Sequence, residues 1–135
     1  MKLHEIPSVL VVEWNEEGKT IVDTWSSYTV QAAQFREAIL NVGLTYAKTH
    51  GARAWVSDSS GAKGAFPGEV QSLIEQEVFK AFASNGIKYF ISIKSTSVIT
   101  NMAIDRVYAQ LGPAGLQMVE VPNVGMAIAW LKEHK

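Results

Sequence analysis

The chain opens with two β-branched apolar runs, Ser8 to Trp14 and Lys19 to Trp25, separated by the turn-forming Asn15-Glu16-Glu17-Gly18. Gly18 can take a positive φ there, so the runs predict an antiparallel hairpin. From about Thr29 to His50 the period lengthens. Phe35, Ile39, Val42 and Tyr46 recur at spacings of four, three and four, which sets them on one face of a helix. Gly51 stands where a helix carboxyl cap favours glycine. Ala52 to Ser57 predicts a short apolar strand centred on Trp55 and Val56. A glycine-rich loop follows, then a helix over about residues 69–84, with Val70, Leu73, Ile74, Val78, Ala81 and Phe82 as its apolar stripe and Asn85-Gly86 as its stop. Lys88 to Ile93 predicts a fourth strand, and Ser97 an amino cap for a helix from Val98 to Leu111, ended by Gly112-Pro113. Leu116 to Val121 predicts a fifth strand. Asn123 caps a last helix that turns Met126, Ala127, Trp130 and Leu131 to the core.

The order is β-β-α-β-α-β-α-β-α, in which each strand after the hairpin is reached through a helix, as right-handed parallel crossovers require. The expectation is an α/β fold: a mixed five-strand sheet flanked by helices, in one domain over residues 1–135. Composition agrees, since 47% hydrophobic and 19% charged residues can bury one core and exclude a disordered chain. A net charge of -1, with twelve basic residues scattered along the chain, offers no field for nucleic acid or an anionic membrane. The absence of cysteine removes disulfides, thiolate metal sites and cysteine nucleophiles. No apolar run is long enough to span a bilayer, and the amino terminus lacks a signal-peptide core, so a cytoplasmic location is expected.

The chemistry-bearing stretch is Asp58 to Gly68, where an apolar strand ends in an acid, two hydroxyls and a glycine-rich loop. In open α/β sheets ligands collect at the carboxyl ends of the strands. The polar residues expected there are Asp58, Ser59, Ser60 and Lys63, then Lys94, Ser95, Thr96 and Ser97, then Asn123. With three helix amino termini they form a rim that can hold a small anion or a phosphorylated partner. The plainer role of the same residues is to cap helices and satisfy loop amides. A serine nucleophile lacks a base, since His4 and His134 lie near the termini and His50 in the last turn of a helix that ends before the third strand, and Gly-x-Ser-x-Gly does not occur. Gly61-Ala-Lys-Gly-Ala-Phe-Pro-Gly does not match a phosphate-binding loop. Metal-ligand spacing is missing, and Glu75 and Glu77 point to different helix faces. No catalytic residue, metal or cofactor is assigned. Trp55 and Trp130 fall on core faces, and Trp14 and Trp25 are expected to pair across the hairpin or to form an exposed surface for a partner.

Ala-Trp-Val-Ser-Asp, the loop Gly-Ala-Phe-Pro, the helix ending before Gly-Ile-Lys-Tyr-Phe, and the terminal Ala-Ile-Ala-Trp-Leu together resemble the SpoIIAA-like (STAS-type) domains, many of them bacterial. The resemblance covers nearly the whole chain after Ser8. It implies a STAS-like α/β domain, related in fold to anti-sigma-factor antagonists and more distantly to lipid-carrying CRAL-TRIO domains. Those antagonists are switched by phosphorylation of a serine in an Asp-Ser-Ser-Gly type motif, and Asp58 to Gly61 spells that motif. The register differs. The family's phosphoserine starts a helix, and counting back about seventeen residues from Gly86, an ordinary helix length, reaches Gly68-Glu69-Val70, where no hydroxyl stands. Phosphorylation at Ser59 or Ser60 remains a candidate, and its charge of about -1.5 to -2 would repel an acidic partner or recruit a basic one.

The functional expectation is a non-enzymatic STAS-like regulatory or protein-interaction domain, anti-sigma-antagonist-like but without the phosphoserine in register. A protein partner, and self-association, suit it. The alternative, suggested by the Trp, Met and Phe content, is a binding domain for a small apolar or amphiphilic, lipid-like ligand.

Overall fold

The computed structural model describes residues 1–134. Six strands form one sheet in sequence order: β1 Lys2–Ile6, β2 Leu10–Asn15, β3 Thr20–Trp25, β4 Ala54–Asp58, β5 Tyr89–Ile93 and β6 Gln117–Glu120. The first three pair antiparallel, and β3 to β6 pair parallel. Helix α1 spans residues 32–49 and α2 spans 68–84; α3 is Val98–Tyr108, α4 the single turn Leu111–Ala114, and α5 Val124–Glu133. The α/β architecture and mixed sheet are as the pattern predicts, but the sheet has six strands where five were expected.

The extra strand is β1. Only Ile6 of its five residues is buried, so its sequence carries almost no alternation. A tight turn holds it against β2: Pro7 and Ser8 sit at the centre, Ser8 at φ 64°, and the Val9 amide donates to the Ile6 carbonyl at 3.0 Å. Pro7 presets the φ that the first central position of such a turn needs. The β2–β3 turn also differs from expectation, because Lys19 and not Gly18 takes the positive φ. At Gly18 a Cβ would lie 2.6 Å from Ile128 Cδ1 of α5, so a larger residue there would make that side chain's flexible end shift.

Successive right-handed crossovers that advance in one direction leave their helices on one face of a sheet. Accordingly α1, α2 and α3 pack on the face that carries Leu10, Val12, Ile21, Trp25, Trp55 and Phe90. Helix α5 covers the other face, setting Ala127, Ile128 and Leu131 on Val22, Ala54, Val56, Ile91 and Ile93. Strands buried on both faces read as continuous apolar runs, which is why β3 to β5 are clear in the sequence. Burial of a large apolar side chain contributes about 1.5–3 kcal/mol, and Trp55, Ile21, Ile39, Ile91 and Ile104 are each almost fully enclosed.

Several local expectations change. Trp14 is opposite Ile21 and Trp25 opposite Leu10, so the two tryptophans do not pair. Both are buried: Trp14 packs on Tyr46 and His50, Trp25 on Tyr28, Phe35 and Phe66. They therefore offer no exposed partner surface. Met126 points to solvent, not to the core. Gly112-Pro113 falls inside α4, and the left-handed stop is Gly115 at φ 98°. Gly51 and Gly86 take the positive φ expected after α1 and α2. In α1 the essential glycine is Gly43, since a Cβ there would meet the Trp55 ring at 2.6 Å.

Candidate functional site

Along β3 the side chains alternate, so Asp23 shares the helix-covered face with Ile21 and Trp25. Ser57 is directly beside it on β4, and Ser92 beside Ser57 on β5. A carboxylate and two hydroxyls thus form a row across the middle of an apolar face, all three buried. Trp55 Nε1 donates to Asp23 Oδ2 at 2.7 Å. Asp23 Oδ1 and Ser92 Oγ have no partner among the described residues. An unpaired buried polar oxygen is costly. Burial pushes the Asp23 carboxyl up from 3.8 to about 6; Ser57, Trp55 and Trp25, and less favourably the charge of Asp58, modulate it. Of these neighbours only Trp55 completes a hydrogen bond, on Oδ2.

Asp23 and Ser57 line a partly open cavity of about 40 Å³ between the sheet and α1, α2 and α3. The other walls are aromatic and aliphatic, among them Trp25, Trp55, Phe79, Phe82 and Phe90. Two wall residues, Phe66 of the glycine-rich loop and Tyr108 at the end of α3, are only half-buried. The α1 and α2 residues Ile39, Ile74 and Val78 that roof it lie in stretches wound as π-helix, Arg36–Leu44 and Ile74–Val78, a winding that recurs at functional sites. The Tyr108 phenol is held well above its ordinary range by burial, which outweighs the opposing effect of the Ser92 and Ser57 hydroxyls.

Chemically, the cavity holds one titratable acceptor that changes charge near neutrality, in apolar surroundings. Among the described residues no lysine, arginine or histidine lines it. Tyr28 hydrogen-bonds Ser59, but burial raises that phenol's pKa as well, so neither residue has a base to activate it. The arrangement suits binding of a donor group. Among the described residues no group of acids and histidines is disposed to hold a metal.

The rim residues occupy the strand ends but do different work. Asp58 Oδ1 accepts from the Ser60 amide at 3.0 Å, the Asx-type turn anticipated from its composition. Ser59 is completely buried and Ser60 exposed, so only Ser60 of the two is open to a kinase. Ser95 is buried and donates to the Ala62 carbonyl at 2.7 Å. Ser97 and Asn123 cap α3 and α5, accepting from Thr100 at 3.3 Å and Met126 at 2.9 Å. Lys94 bridges Asp105 and Glu120 at 3.0 and 3.3 Å, and the Asp105 hydrogen bond raises its pKa. Lys63 and Thr96 are exposed. Six of the nine, Asp58, Ser59, Lys94, Ser95, Ser97 and Asn123, thus have side chains engaged with the protein itself.

Asp23, Ser57, Ser92, Tyr28 and Tyr108, which build the buried site, were not singled out from sequence. One signal was present: Asp23 is in phase with Ile21 and Trp25, a polar residue at an apolar-facing position. The chain matches no family model, no curated protein and no solved structure.

Proposed function

We propose that this chain is a non-enzymatic, STAS-like binding domain that takes a small ligand into the cavity between its sheet and helices. The observation that carries it is Asp23: a buried carboxylate with an unpartnered oxygen, on the wall of an aromatic cavity. Its lining, mostly apolar with a few placed polar groups, has the chemistry that small-molecule sites share. The α/β order with parallel crossovers after an antiparallel start supports the STAS-like reading, and the ligand-binding alternative is the branch of it that the cavity favours. Native mass spectrometry of protein purified from cells, with amide and indole NMR shifts under a panel of cationic, neutral and anionic small molecules, tests the proposal. A retained mass or a saturable shift at the Trp55 indole is expected. Neither appearing, for any probe, would overturn it.

A second reading, regulation of a protein partner through the rim, is favoured by three large apolar side chains exposed at the start of α3, Val98, Ile99 and Met102. They adjoin the rim residues Thr96 and Ser97 in the chain. A pull-down from the native host, repeated with Asp58→Lys and Ile99→Glu, tests it: one partner lost in both variants supports it, and identical captures with all three proteins reject it.

A further inference from the structure

A buried carboxylate is tolerated when it is paired, and costly when it is not. Among the described residues Asp23 has one oxygen satisfied by Trp55 and the other free, and no positively charged side chain lines the cavity to neutralise it. The surrounding Trp25, Trp55, Phe82 and Tyr108 present aromatic rings, whose negative faces attract a cation. A site that is acidic, aromatic and without its own cation is complementary to a ligand that supplies one. We propose that the cavity is a binding site for a small alkylammonium ion, whose N–H donates to Asp23 Oδ1 and whose alkyl part lies against the aromatic walls. This rests on the cavity being the binding site.

Size sets the ligand. A water needs about 10–15 Å³ of such space, so about 40 Å³ holds roughly three heavy atoms. Ethylammonium fits that number. Anions are repelled by Asp23, and a neutral alcohol can donate to it but leaves its charge unbalanced. Three heavy atoms support a dissociation constant of about a millimolar at best, a range that NMR titration reads directly.

Protonation of Asp23 removes the charge that recognises the cation, so binding weakens as pH falls below about 6. The groups facing Asp23 are few. Tyr28 and Tyr108 are held well above the ordinary phenol range and stay neutral, and Asp58 adds a like charge from the strand end. Charged residues of the covering helices, Arg36, Glu37, Glu77 and Asp105, are exposed, and Glu75 is half-buried outside the cavity lining.

The test is a titration of the full chain, labelled with nitrogen-15, with ethylammonium chloride, ethanol and sodium acetate, each against sodium chloride at matched ionic strength. At pH 7.5 ethylammonium is expected to shift the Trp55 indole N–H saturably, ethanol at least about tenfold more weakly, and acetate not at all. At pH 5 the ethylammonium affinity is expected to fall about tenfold. Asp23→Asn should abolish the response, and Asp58→Asn, outside the cavity, should keep it. Ethanol binding as well as ethylammonium, or an unchanged response in Asp23→Asn or at pH 5, would overturn the ammonium assignment while leaving the cavity as a site. If no probe moved the Trp55 resonance, the cavity reading would fail with it.

Discussion

Replacing Asp23 by Asn tests the central feature of this structure without any ligand. In the folded protein the carboxyl titrates near 6, against 3.8 for an ordinary aspartate, and burial is the main cause. The folded state therefore holds the proton more tightly than the unfolded chain. Between those two values the folded protein is protonated and the unfolded one is not, so stability falls as pH rises through that window. The gap corresponds to about 3 kcal/mol in full, of which roughly 2–2.5 kcal/mol is lost between pH 4 and pH 7.5. Asparagine cannot ionise, and its carbonyl oxygen can keep the hydrogen bond that Trp55 gives to Oδ2. Its amide, left where Oδ1 is unpartnered, costs about 1 kcal/mol at either pH. The variant is thus expected to be more stable than the parent by about 1–3 kcal/mol at pH 7.5 and no more stable at pH 4. Urea unfolding of both proteins across pH 4 to 8 measures this, and the other carboxylates cancel in the difference. A difference that stays flat with pH, or a variant less stable at pH 7.5, would refute the assignment of a buried, unpaired charge to Asp23.

Gly43→Ala should destabilise the protein by about 1–2 kcal/mol, because overpacking of the buried Trp55 ring at 2.6 Å outweighs the gain in helix propensity; a shift in tryptophan emission should accompany it, and a rise in melting temperature would contradict the close approach. Tyr28→Phe leaves the buried Ser59 hydroxyl without its partner and should cost about 1–3 kcal/mol by chemical denaturation. Ser97→Ala removes the cap of α3 and should cost about 1 kcal/mol, seen also as faster hydrogen exchange at Thr100. A fluorophosphonate probe should label neither Ser59 nor Ser60, because no histidine or other base contacts either hydroxyl; a labelled Ser60 in the folded protein would reverse the non-enzymatic reading.

The central strands, α1, α2 and the caps at Ser97 and Asn123 were legible because each rests on short-range physics. Residues a few positions apart report helix or strand period, and a capping side chain bonds an amide three residues on. Strand β1 was not legible, since an edge strand with one buried residue has no period to show. Gly43 was visible as a glycine, but its reason, the Trp55 ring that a Cβ would meet at 2.6 Å, comes from a strand that follows the helix.

The strand ends after Asp58, Ile93 and Glu120 are determined by composition, and the structure assigns that rim mainly to capping and turn formation. The buried site is of the opposite kind. Asp23, Ser57 and Ser92 each stand in an otherwise ordinary strand, 34 or 35 residues apart, and no local rule says that they meet. Local sequence determined which residues share a strand face, because side chains alternate with period two. Strand order and parallel register decided that the three polar members of those faces line up side by side under three helices. Register is a property of the whole sheet, chosen by the burial of both faces at once; that is why only the tertiary structure could turn three scattered residues into a candidate site.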